Sequence, residues 1–93
     1  MLSLFQIMQA ADKVNDRARE HVLISIRDVR REIEATWGTS KEEFDASILH
    51  HAEFGWITLH HHDHPAGVDE ATRRAMVADA RGNHYIGFVL EDR

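Results

Sequence analysis

The chain has 93 residues, 43% hydrophobic and 29% charged, which suits one small domain with a single modest core and excludes a disordered or membrane-embedded chain. It contains no cysteine, so disulfides, thiolate catalysis and cysteine-based zinc sites are excluded and a reducing compartment is favoured. The net charge of −5 falls entirely in residues 38–93, because residues 1–37 balance, and this acidic excess counts against a domain that grips nucleic acid mainly through phosphate.

Residues 1–11 lack the basic n-region and unbroken apolar stretch of a signal peptide, and no run approaches the ~18 apolar residues that span a bilayer. A cytoplasmic protein without a membrane partner is expected. Over residues 3–21, Leu4, Ile7, Met8, Ala11, Val14 and Ala18 form one helical stripe, with Ser3 and Gln6 spaced as a capping box. Leu2 and Phe5 lie off that stripe. They are either a dimer contact or a cover for the edge of the core.

The β-branched run Val22-Leu23-Ile24 predicts a short strand leading into a second helix that Ser25 caps. Ile26, Val29, Ile33 and Trp37 share that helix's inward face, leaving Arg27, Arg30, Arg31 and Glu34 outward. Gly38 suits a left-handed helix end, and Thr39 or Ser40 caps a third helix over residues 41–54 whose buried face is Phe44, Ile48, Leu49 and Ala52. Residues 56–62 then alternate as a strand, with Ile57, Leu59 and His61 on one side. The apolar segment 85–90 would return antiparallel to it, placing Ile57 and Leu59 opposite Ile86 and Phe88. The connection between the two strands exceeds an ordinary hairpin loop and carries a short helix over residues 69–79, capped by Asp69.

Helix, short strand, helix, turn, helix and a two-stranded wing is the order of the winged-helix domain. The chain resembles that superfamily through Leu23-Ile24-Ser25-Ile26, Phe44 and Leu49, the Gly55-Trp56-Ile57-Thr58-Leu59 exit, and the segment 85–90. The expected fold is therefore α+β: one domain over residues 1–93, with a helix-turn-helix over about 25–54 and a wing over about 56–91 that holds a helical insertion. Winged helices serve as DNA readers, RNA binders, subunit bridges and dimerisation units, so the resemblance alone does not fix a role.

Two functional readings follow. In the first, a DNA-binding or DNA-associated regulatory domain contacts duplex DNA. Arg27, Arg30 and Arg31 of the second helix and Arg73, Arg74 and Arg81 of the insertion meet phosphates, while Ser40, Lys41, Ser47, His50 and His51 lie at or near base edges. Against it, the third helix also carries Glu42, Glu43, Asp45 and Glu53. In the second reading, that acidic helix makes the chain a protein interaction module within a larger assembly. The decisive feature is whether the arginines converge on one surface.

The tract His60-His61-His62-Asp63-His64 sets His60, His62 and His64 at period two, and His84 is the nearest further ligand for a metal. Solvated wing histidines are the plainer reading, because a spaced second pair of ligands is missing. No phosphate loop, nucleophile elbow or catalytic constellation is visible, so neither an enzyme, nor a cofactor, nor a small-molecule substrate is expected.

Overall fold

A computed structural model gives the fold and describes residues 1–91, apart from the side chain of Pro65. It is an α+β arrangement of α1 (Leu4–Val14), β1 (Ile24–Ser25), α2 (Ile26–Trp37), α3 (Lys41–Glu53), β2 (Ile57–His61), a 3-10 turn (Pro65–Gly67), α4 (Glu70–Ala75), β3 (Val77–Ala78) and β4 (His84–Leu90).

The Ser3 hydroxyl accepts from the Gln6 amide and the Gln6 side chain accepts from the Ser3 amide, so the capping box at the start of α1 is formed. The helix is shorter than its apolar stripe predicts. It ends at Asn15, whose side chain accepts from the Arg17 amide at 2.9 Å, a local bond that competes with helix continuation. Ala18 still reaches the core, from a turn. His21, at φ 57, then swings the chain into β1, which spans two residues and leaves Leu23 exposed.

Ser25 caps α2 through the Asp28 amide and Ser40, rather than Thr39, caps α3 through the Glu43 amide. Between them Gly38 takes the left-handed conformation, φ 64, that a tight exit from α2 needs. Ile26, Val29 and Ile33 are fully buried with Phe44 and Ile48, as their spacing predicts, and Leu49 packs partly buried against them. Trp37 departs from its expected inward place. As the last residue of α2 it lies beyond that packed patch and is 41% exposed.

The sheet runs β1-β4-β2, all antiparallel. Both His61 of β2 and Val77 of β3 pair with Tyr85, so β3 uses the edge of β4 that β1 also uses. Register differs from expectation. Ile57 faces Leu90 and Leu59 faces Phe88, while consecutive residues His60 and His61 pair with Gly87 and Tyr85. Ile86 is thus the extra residue of a bulge, which turns it out of the core and leaves it 43% exposed between β1 and β3. The helix expected over 69–79 is also cut short. Its last turn is replaced by β3, because Asp79 organises a tight turn that draws Val77 and Ala78 into pairing with β4.

Candidate anion-binding cleft

Helices α2, α3 and α4 are tied together by one side chain. Arg30 was expected to face outward, yet it is only 6% exposed. It sits at i+4 from Ile26 and i−3 from Ile33, which puts it on the edge of the buried stripe of α2. Its Nη2 donates to Asp45 Oδ1 of α3 at 2.7 Å and to the Met76 carbonyl at 3.1 Å, and its Nε donates to the Ala75 carbonyl at 3.2 Å. The guanidinium therefore closes the C-terminus of α4, where helix carbonyls lack intrahelical donors. It also stacks 4.5 Å from the Phe44 ring centroid. Its Nη1 is buried with no hydrogen-bond partner among the described residues.

Above Arg30 lies an open cleft of about 400 Å³ between α2, the start of α3 and α4. Arg27, Arg31 and Glu34 line it from α2, Lys41 from α3, and Ala71, Thr72, Arg74 and Ala75 from α4. Arg31 and Arg74 are exposed and make no ion pair with any described residue. Arg27 lies only at the 4.0 Å limit from Asp28, and Lys41 is held 2.6 Å from Asp45. Asp45, one of the four carboxylates of α3 expected to oppose DNA, is consumed by Arg30 and Lys41. Among the described residues Glu34 is the one carboxylate lining the cleft.

The expected contact residues therefore divide. Arg27, Arg31, Lys41 and Arg74 converge on the rim, and Arg30 forms the floor rather than an outer contact. Arg73 faces elsewhere, donating to the Val68 carbonyl at 3.0 Å, and Arg81 sits in the turn between β3 and β4. Ser47 is fully buried, accepting from the Leu2 amide and donating to the Glu43 carbonyl, so it is not at a base-reading surface. His51 Nε2 donates to the Leu2 carbonyl at 2.9 Å, and the half-buried His50 ring packs on His51 and Phe54. Ser40 is exposed but works as a cap.

Leu2 is 4% exposed and belongs to the core, which removes it as a dimer contact; Phe5 stays 63% exposed. The histidines do not form a cluster. His62 Nδ1 accepts from the His64 amide, His84 Nδ1 turns to the Gly82 carbonyl, and among the described residues no three metal-ligating side chains are grouped to hold an ion. Among the same residues no helix is long and apolar enough to cross a membrane.

A second polar knot stabilises the β3–β4 turn. Asp79 accepts from the Asn83 side chain, the Tyr85 hydroxyl, and the Arg81 and Asn83 amides. These bonds, the Asn83 side chain first, hold its carboxyl far below the ordinary carboxylate range, and the bond to Asp79 holds the Tyr85 phenol above its own. With the geometry in view, comparison with known proteins adds no precedent: no family model, curated protein or solved structure matches this chain.

Sequence reasoning missed Thr72, Ala75 and Met76 as neighbours of the arginines, although it set Glu34 beside them on the outward face of α2. Glu34 was legible, since it lies three residues beyond Arg31 on α2. The others depend on α4 folding back against α2, which no local pattern encodes.

Proposed function

We propose that the chain is a winged-helix domain that associates with duplex DNA through phosphate contacts, in the cytoplasm. The helix, strand, helix, turn, helix order followed by antiparallel β2 and β4 supports the winged-helix reading, with α4 and β3 as an insertion in the wing. The observation that carries the DNA reading is the convergence of Arg27, Arg31, Lys41 and Arg74 on one cleft despite an acidic whole. Phosphate contacts position a duplex without reading its sequence. Burial of Ser47 and the engagement of His51 leave α3 with few groups for base edges, so binding is expected to be largely independent of sequence.

Fluorescence anisotropy with a labelled duplex of arbitrary sequence tests this. Four phosphate contacts predict a log–log salt slope of about −3 to −4. Joint reversal, Arg31→Glu with Arg74→Glu, should weaken binding by about tenfold or more, roughly 1.4 kcal/mol, with unchanged thermal stability. Absence of any binding at low salt, or indifference to the reversal, would remove the proposal.

A second reading, a protein interaction module, is supported by the exposed carboxylates Glu42 and Glu53 on α3. It predicts a partner with a basic groove, and a chain that stays monomeric and captures nothing at high concentration would count against it.

A further inference from the structure

The cleft continues past α4. Arg27, Thr72 and Ala75 also border a second hollow of about 220 Å³, completed by Ser25, Met76 and Ile86. This notch occupies the interruption between β1 and β3 on the edge of β4, and the bulge in β4 is what turns Ile86 toward solvent there. A cationic cleft and an apolar notch thus share one wall.

We infer that cleft and notch together hold a nucleoside di- or triphosphate, with its phosphates among Arg27, Arg31, Arg74 and Lys41 and its base against Met76 and Ile86. The inference rests on the reading of this cleft as the anion-binding face, and extends it to a small ligand that competes with duplex.

Two features favour such a ligand over a duplex backbone alone. First, the floor of the cleft is Arg30, nine-tenths buried and with its Nη1 enclosed beneath the surface. A duplex is a broad convex rod that meets the rim, whereas the phosphates of a small ligand can sit lower in the cleft, where the buried guanidinium adds positive potential without direct contact. Second, the notch offers a flat heterocycle apolar contact beside the Ser25 hydroxyl, which accepts from the Asp28 amide and keeps its own proton to donate. A phosphate backbone would leave that surface unused. Glu34 also lines the cleft, about two turns of α2 beyond Arg27 and so away from the notch, and it opposes phosphate there whichever anion binds. Asp28 beside Arg27, and Asp45 beside Arg30 and Lys41, are the other facing carboxylates, and their ion pairs leave Arg31 and Arg74 as the main phosphate ligands. Taken together, hollows of about 400 Å³ and 220 Å³ fall within the range of small-molecule sites.

Isothermal titration of the whole chain at low salt, without divalent cations, compares ATP, GTP and inorganic pyrophosphate. The nucleotides should bind at least tenfold more tightly than pyrophosphate. Ile86→Ser, at an exposed position, should erase that advantage and leave pyrophosphate binding unchanged; Arg31→Ala with Arg74→Ala should abolish both. Bound nucleotide should displace a labelled duplex in proportion to occupancy. Equal affinities for nucleotide and pyrophosphate, or an Ile86→Ser chain that keeps the advantage, overturns the inference. If duplex binds and no nucleotide does, the inference fails while the DNA reading stands. If neither binds, both fail.

Discussion

The two flanks of the α2–α3 pair carry opposite chemistry. On the α2 and α4 side, Arg27, Arg31, Lys41 and Arg74 surround a cleft whose only lining carboxylate among the described residues is Glu34. On the outward side of α3, Glu42 and Glu53 are exposed, Ser47 is buried and His51 is bonded to the Leu2 carbonyl. The difference arises from where carboxylates are consumed. Asp45 turns inward to Arg30 and Lys41, so the acid best placed to neutralise the cleft instead fixes its floor. A net charge summed over a chain therefore says little about the sign of one face.

The largest expected effect separates the two kinds of arginine within α2. Arg30→Ala removes the donor that joins Asp45, Ala75 and Met76, and should cost about 3 kcal/mol, the lower end for breaking a buried ion pair because Lys41 still accompanies Asp45. Its neighbour Arg31→Ala should fall within about 0.5 kcal/mol of the parent, as exposed substitutions do. Urea unfolding of both variants checks this, and similar losses would erase the distinction between floor and rim.

A somewhat smaller effect is expected at the sheet edge that shapes the notch. A Cβ on Gly87 would lie 2.9 Å from the Ile24 carbonyl oxygen and 2.9 Å from Leu23 Cδ1. The side chain can yield but the paired backbone of β1 cannot, so Gly87→Ala should destabilise by about 1–3 kcal/mol. Thermal melts read it, and a neutral variant would mean that β1 shifts freely.

The turn between β3 and β4 offers a pH test. Because the folded state holds Asp79 ionised far below the unfolded carboxylate value of about 3.9, its contribution is fully present above that value and declines as pH falls below it. Asp79→Asn should therefore unfold more easily than the parent at neutral pH, with the gap narrowing progressively below about pH 4. A gap independent of pH would show that the charge is not what matters. The smallest effect belongs to the opposite flank, where Glu42→Gln and Glu53→Gln should change duplex affinity by less than about threefold, because salt screens exposed charges at a distance.

What sequence revealed depended on whether a feature was local. The caps at Ser3, Ser25 and Ser40, the left-handed Gly38, and the core stripe of Ile26, Val29, Ile33, Phe44 and Ile48 follow from spacing and side-chain chemistry. Arg30 was misplaced because charge was weighed above its i+4 position on that stripe. Trp37 was misplaced by the converse error, since period alone does not say where a helix outruns its packing. The bulge at Ile86 and the fold-back of α4 arise from long-range pairing, which exceeds the reach of any short pattern. Convergence of the arginines required both, so the cleft was legible only as a question.

The most direct measurement is a map of backbone amide chemical shifts during titration with a short duplex at low salt. Perturbations should gather at Arg27, Arg31, Lys41, Thr72 and Arg74, the two sides of the cleft. Shifts concentrated at Ala46, His50 and Glu53 with residues 27–31 and 72–75 silent would contradict it and return the contact to α3.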